Sequence, residues 1–272
     1  MRKQHLIIWG IFLFLCYGFI LVSSTYGKDM DGYEIMLRNY NIDQGNDFKA
    51  ELTMDLIKKN GKKRTRKITY WYLEKGEEDK ILLQFDLPAS VKGTTFLSWA
   101  HEEKDDDQWL LLPSLKRIRR IAATDKHKPF MGTDFSYNDM SLPHPKKFTN
   151  KIIGEEQING INCYKIENIH KTYESNDPSS KEDKYQYSKT ISWICKENFV
   201  MVQSVMYDSD GEICKQYSAS NIKKIDGYWV PVLQEMENLK NNHKTILTIS
   251  DIQFNLSLTE DFFSQQQLSK ML

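Results

Sequence analysis

The sequence predicts a mainly β, α+β protein: one large, curved antiparallel sheet of about eleven strands with three helical pieces. Three observations predict it. From Phe48 onward apolar and polar residues alternate with a period of two, segment after segment. The segments follow one another without the regular intervening helices that parallel sheets require. The connectors carry tight-turn chemistry, at Asn60-Gly61, Asn159-Gly160, Asp210-Gly211 and Asp226-Gly227. A sheet of this size curls, and one or two helices on its inside cover only part of the concave face, so a cavity is expected.

Residues 1–27 read as a cleaved signal peptide and residues 28–272 as the mature domain. Arg2 and Lys3 precede an uncharged apolar run, Leu6 to Val22, and small or polar residues Ser23, Ser24, Thr25 and Gly27 follow it. A retained N-terminal anchor is the alternative, although the run falls just short of the roughly 20 apolar residues a span needs. Cys16 lies inside the run behind Leu15, which does not suit lipidation. Removing this segment leaves 35 basic against 37 acidic side chains, so the mature chain is close to neutral. Three cysteines remain, Cys163, Cys195 and Cys214; an odd count leaves at least one thiol free, and although the strand-like segments of Cys163 and Cys195 could be hairpin neighbours, a buried free thiol is the more frequent fate of a Cys in an apolar strand.

In Asp31 to Tyr40 the spacing of Ile35, Met36 and Tyr40 predicts a short helix capped by Asp31. Phe48 to Leu56 alternates as a half-buried strand, and Lys63 to Glu74 returns beyond Asn60-Gly61. Asp79 to Leu87 and Gly93 to His101 continue the meander, with Phe48, Leu52, Met54, Leu83, Phe85 and Trp99 expected on the concave side. Glu102 to Asp107 is an acidic run without the ligand spacing or bend glycine of a calcium loop, and reads as a solvated hairpin turn. Beyond Pro143-His144-Pro145, where His144 reads as plain surface, the chain restarts at Lys151 to Gly154. Strands are expected at Gln157 to Ile169, Tyr185 to Lys196, Phe199 to Asp208, Glu212 to Ile222, Tyr228 to Asn238 and Lys244 to Phe254. Glu174 to Lys184 reads as a long flexible loop. Thr259 is placed as the cap of a C-terminal helix carrying Phe262, Phe263 and Leu268.

The most distinctive stretch is residues 109–140, WLLLPSLKRIRRIAATDKHKPFMGTDFSYNDM. Pro113 suits a tight turn joining Gln108 to Leu112 with Arg117 to Ala122, which would set Leu112 opposite Arg117, Leu111 opposite Ile118 and Trp109 opposite Arg120. The cluster of Lys116, Arg117, Arg119, Arg120, Lys126 and Lys128 reads either as a solvated edge that discourages edge pairing or as a docking patch. In the second reading Arg117, Arg119, Arg120 and Lys126 contact an acidic partner or anionic lipid headgroups; no nucleic acid is expected. Phe130 to Met140 then forms a lid over the cavity mouth, with Gly132 permitting a bend and Thr133 or Asp134 capping a short helical turn.

No HExxH, GxSxG, CxxC or phosphate-binding glycine loop occurs, and the histidines are scattered, so no catalytic residue, metal or cofactor is expected. What the chain offers is apolar surface beyond the needs of a thin meander. Candidate contacts for a hydrophobic cargo are Leu52, Met54, Trp71, Leu83, Phe85, Trp99, Trp109, Leu111, Phe130, Met131, Phe135, Met140 and Trp193. Flexible methionine-rich surface suits irregular apolar ligands.

The stretch 109–140 resembles the hallmark of the outer-membrane lipoprotein-sorting-like proteins, the LolA-like group with the TP-0789-type domain. DGYEIMLRNY, FDLPASVKGTTFLSW, INGINCYKIE and ISWICKENFVMVQ resemble flanking parts of that family, so the likeness covers essentially the whole mature chain. It implies an unclosed antiparallel half-barrel, LolA/LolB-like, with helices over its concave face. It further implies a periplasmic carrier or chaperone for lipid, lipoprotein acyl chains or another hydrophobic molecule, often served by an inner-membrane transporter; the chain itself is expected to be a non-enzymatic monomer. The alternative it leaves is an accessory module of an inner-membrane exporter that docks through the basic hairpin.

Overall fold

The computed structural model of the chain describes residues 30–74, 78–102, 104–174 and 185–271. The signal-peptide segment and nearly all of the loop expected at 174–184 lie outside the described residues. Helix α1 (Gly32–Tyr40) forms as the spacing predicts, and the Asp31 carboxylate accepts from the Glu34 backbone N–H at 2.8 Å. The sheet then begins with β1 (Asp47–Ile57), β2 (Lys63–Leu73), β3 (Glu78–Leu87), β4 (Thr95–His101), β5 (Asp107–Leu112) and β6 (Arg117–Arg120). After a long strap, residues 121–147, come β7 (Phe148–Ile158), β8 (Ile161–His170) and the short α2 (Lys171–Glu174). The chain finishes with β9 (Lys189–Cys195), β10 (Met201–Tyr207), β11 (Ile213–Ile225), β12 (Tyr228–Asn238), β13 (His243–Phe254) and α3 (Gln265–Lys270).

All thirteen strands belong to one antiparallel sheet in the order β6-β5-β4-β3-β2-β1-β13-β12-β11-β10-β9-β8-β7. The sheet is an open half-barrel, because its two ends, β6 and β7, do not pair with each other. The count of about eleven is therefore corrected to thirteen. The sequence segments named above number twelve, and the strand without a counterpart among them is β7, which is mostly exposed along both faces and carries a register irregularity between Ile152 and Gly154, so it shows no clean alternation. As an edge strand it has few apolar positions to advertise it.

The hairpin β5–β6 takes the expected register, Leu112 with Arg117, Leu111 with Ile118 and Trp109 with Arg120. Its turn is shifted by one residue: the Lys116 N–H donates to the Pro113 carbonyl at 3.0 Å, and Lys116 occupies the left-handed region at φ 46°. The C-terminal cap is also shifted. Thr259 makes no side-chain capping bond, whereas the Ser264 hydroxyl accepts from the Gln267 N–H at 3.1 Å and starts α3.

Each face of the first half of the sheet has its own core. On the concave side, Leu52, Met54, Leu56, Ile68, Leu83, Phe85, Phe96 and Leu110 pack with Phe130 of the strap. On the convex side, Leu73, Leu82, Leu97, Trp109 and Leu111 pack under Phe263 and Leu268 of the C-terminal segment. Trp99, expected on the concave side with Phe48, Leu52, Met54, Leu83 and Phe85, lies instead on the convex side, where its indole N–H donates to the Phe263 carbonyl at 2.7 Å. The physical reason is that β3 and β4 are apolar on both faces, so period two cannot tell which face is inner. Register decides it: Trp99 pairs with Lys80 and Phe96 with Leu83. Helix α1 covers the other end of the concave face, packing Ile35 and Met36 on Ile166 of β8 and Ile194 of β9.

Candidate functional site: an internal cavity behind a tethered strap

The concave face is only partly filled. Between the strap, α1 and the second half of the sheet lies a cavity of about 430 Å³. Asp79 and Ile81 of β3 line it together with Asn168 of β8, Thr190 of β9 and Met206 of β10, strands from distant places in the sheet order. Curling is what brings them together. Tyr70, Tyr72, Trp229, Met201 and Met236 add apolar and aromatic wall, and the volume falls in the range of small-molecule and cofactor sites, roughly 300 to 1,000 Å³.

The strap is an anchored partition. Phe130 is fully buried, with ring centroids 5.1 Å from Phe96, 6.1 Å from Phe85 and 5.4 Å from Tyr137. Its backbone N–H donates to the Phe135 carbonyl at 2.8 Å, closing a tight loop in which Gly132 sits at φ 74°, as the expected bend requires. Arg66 donates to the Met131 carbonyl at 2.8 Å and Gln108 to the Tyr137 carbonyl at 3.0 Å. Neither Thr133 nor Asp134 caps a helical turn. The Thr133 hydroxyl donates to the Phe135 carbonyl, and the Asp134 carboxylate accepts from the Thr245 hydroxyl and pairs with the His243 ring, both at 2.7 Å. Asp134 thus ties the strap to β13.

A second tether faces the cavity. Asp139 accepts from the Tyr187 hydroxyl at 3.0 Å, from Gln186 at 2.8 Å and from the Ser136 N–H at 2.7 Å, with the Lys215 ammonium 3.3 Å away. Burial, and then the Asp139 charge, push the Tyr187 phenol well above its ordinary range, so it stays a donor throughout physiological pH. The acidic turn is a third anchor rather than a purely solvated loop. Glu102 pairs with Lys146 at 2.9 Å and His144 at 3.3 Å, and Asp106 bonds the Ser141 hydroxyl. His144, expected at the surface, is buried against the Tyr40 ring at 4.8 Å.

The cargo candidates therefore divide. Phe135 and Met140 line the cavity. Leu52, Met54, Leu83, Phe85, Phe130 and Met131 belong to the closed concave core beside it. Trp71, Trp99, Trp109 and Leu111 face the C-terminal segment on the convex side, and Trp193 sits on the convex side of β9 with its indole donating to Glu156. These five are corrected as cavity contacts. Sequence reasoning missed Tyr40, Tyr72, Asp79, Asn168, Tyr187, Met206 and Met236, which converge only when the sheet curls. The period-two burial of Val202, Ser204 and Met206 along β10 is the local signal that could have marked one of them. Among the described residues no group of three or more His, Cys, Asp or Glu is arranged to hold a metal, and no helix is long and apolar enough to cross a membrane. Cys163, Cys195 and Cys214 are buried free thiols, with Cys163 directly opposite Cys195 on adjacent strands.

The basic cluster also divides. Arg117 is exposed, while Arg119 pairs with Asp125 and Arg120 with Asp107. Lys126 is not a surface contact: its side chain is only 8% exposed, and its ammonium donates to the Asp106 carbonyl at 2.7 Å. Lys126→Ala is accordingly expected to lose about 1.5 to 3 kcal/mol, the range for a hydrogen bond to a charged group. Arg117→Ala is expected to stay within about half a kcal/mol. Urea unfolding of the two variants checks the contrast.

Asp79 is the one cavity carboxylate without a cationic partner among the described residues. Burial pushes it up to about 6, partly offset by the hydrogen bond it accepts from the Tyr72 hydroxyl. A folded-state value above the unfolded one means that its ionisation opposes folding as pH rises through about 4 to 6. Asp79→Asn should therefore stabilise the protein at pH 7, by about 1 to 2 kcal/mol after allowing for partial solvent access. The gain should vanish at pH 4. Thermal unfolding at the two pH values reads it.

An open antiparallel half-barrel whose concave face holds a strap-bounded, aromatic and methionine-walled cavity is a lipoprotein-sorting-like fold. Residues 77–270 match a family model described only as an uncharacterized-protein-like family. A solved structure provisionally assigned as an outer membrane lipoprotein-sorting protein domain, from Vibrio parahaemolyticus, is 32% identical, covering 88% of this chain and 98% of its own, with a TM-score of 0.79. A DUF1329 family protein from Desulfovibrio piger is 28% identical over 87% of this chain and 97% of its own, also at 0.79. A LolA superfamily protein from Nitrosomonas europaea, 19% identical over 88% of this chain and 99% of its own, shares the fold at 0.66. No curated protein sequence matches. The chain belongs to the outer-membrane lipoprotein-sorting-like family of the Vibrio protein, and it shares the fold of the LolA superfamily protein.

Proposed function

We propose that the protein is a non-enzymatic periplasmic carrier that holds the acyl chain of a lipid or lipoprotein in the cavity beside its strap. The observation that carries the reading is the cavity itself: about 430 Å³ of space on the concave face, walled by Phe135, Met140, Met201, Met206 and Met236. Apolar contacts of this kind are worth about 25 cal/mol per Å² removed from water, so a single chain segment suffices for micromolar affinity. Methionine walls accommodate chains of different kink and length. The assignment of the Vibrio relative to lipoprotein sorting supports the same reading, as does the apolar, basic-led N-terminal segment. In this reading the strap stays seated and cargo enters along the cavity wall formed by Phe135 and Met140. The test is titration with a neutral, polarity-sensitive naphthalene dye: saturable binding near one site per chain is expected, and no binding to folded protein refutes it.

A second reading places the working surface at the β5–β6 tip, docking on an inner-membrane exporter. It is favoured by one observation, the exposure of Leu115 (56%) beside Arg117 at that tip. Leu115→Ser with Arg117→Glu would then abolish function in cells with dye binding unchanged.

A further inference from the structure

We infer that the cavity selects, by its polar groups, an amphiphile whose head is a primary amine, and that it disfavours anionic heads. The inference rests on the carrier reading above and names the class of cargo. Among the described lining residues there is no lysine, arginine or histidine. The two ionisable carboxylates are Asp139, already matched by Lys215, and Asp79, which has no cation. A fatty acid or a phosphate-headed lipid entering head first would meet a like charge without a counter-charge, in a setting where unpaired charge is costly.

An independent set of groups points the same way. Asn39 and Asn168 line the cavity, are 6% and 4% exposed, and have side-chain carbonyl oxygens with no hydrogen-bond partner. The orientation of Asn39 is fixed, because its amide N–H donates to the Phe199 carbonyl at 2.8 Å. The Asn168 amide donates to the Ser192 and Thr190 hydroxyls at 3.1 and 3.2 Å, leaving its oxygen as an acceptor. Asn150, paired with Asn168 in register, also lines the cavity with an unpartnered oxygen. Buried acceptors without donors are unfavourable until something donates to them. A primary ammonium brings three donors and a positive charge; a carboxylate brings neither. The rings of Tyr40 and Tyr72, which also line the cavity, add faces that attract cations.

Displacement of the neutral dye by decylamine, decanol and decanoate, each below its micelle concentration at pH 7.5, tests the inference with unaltered protein. Decylamine should displace the dye at a concentration at least about tenfold lower than decanoate, the scale of charge-assisted hydrogen bonding. Asp79→Asn, which keeps the side chain's shape, should narrow that ratio severalfold. If decanol and the dye bind but decanoate competes as well as decylamine, the inference is overturned and the carrier reading stands. If neither the dye nor decanol binds, the carrier reading fails and the inference fails with it.

Discussion

Phe130→Ala is expected to cost about 3 to 5 kcal/mol, the range for emptying a fully buried aromatic site. The ring is enclosed on every side: Phe85 and Phe96 stand beneath it, Tyr137 meets it edge-on, and Leu52, Met54 and Leu110 close the cluster. Nothing near it can collapse to fill the gap, because the strap is held by Asp134 to Thr245 and by Met131 to Arg66. For a domain of this size the loss should lower Tm by roughly 10 °C or more. Phe135→Ala should cost clearly less, since one side of that ring already borders the cavity and makes fewer contacts. Differential scanning calorimetry of the two variants reads the contrast. Equal losses would mean that the cavity wall is as tightly packed as the core and that no space is kept for cargo.

Ala100→Trp is expected to weaken binding of the neutral dye at least about tenfold while changing stability by no more than about 1 kcal/mol. Ala100 lies opposite Asp79 in the β3–β4 register, lines the cavity, and is half-buried with no side-chain partner to lose. An indole there is expected to extend into the 430 Å³ space that Ala100 lines. Unchanged dye affinity in a stable Ala100→Trp protein would place the apolar site elsewhere.

The contrast between these two residues shows how far the sequence could be read. Local chemistry gave α1 with its Asp31 cap and the β5–β6 register, because a cap and a proline turn act within a few residues. The inner and outer faces of β3 and β4 were not legible: Ile81, Leu82 and Leu83 are all buried, and only the register of the folded sheet assigns Trp99 to the outside. Strand β7 was hidden for the opposite reason, since an exposed edge has no alternation to display. Lys126 and His144 look like surface residues in sequence, and their burial follows from distant partners at Asp106 and Tyr40. The cavity was legible as a consequence of a curled sheet, but its lining was not, since Asp79, Asn168 and Met206 come from three strands that meet only after the sheet bends.

The strap carries the central point about mechanism. A lid that competes with cargo must be weakly held, yet Asp134, Asp139 and Phe130 fasten this one to both halves of the sheet. Loading through displacement of the whole strap would require breaking all three at once. On the carrier reading proposed above, a chain enters beside the strap, where Phe135 and Met140 line the cavity.

The most direct test of that claim is chemical. The protein is produced in its native cells, purified without detergent, and extracted with organic solvent for quantitative mass spectrometry. The carrier account expects acyl lipid or acylated peptide at close to one molecule per folded chain, reduced by Ala100→Trp. Folded protein that carries no extractable lipid and leaves the neutral dye unbound would contradict it.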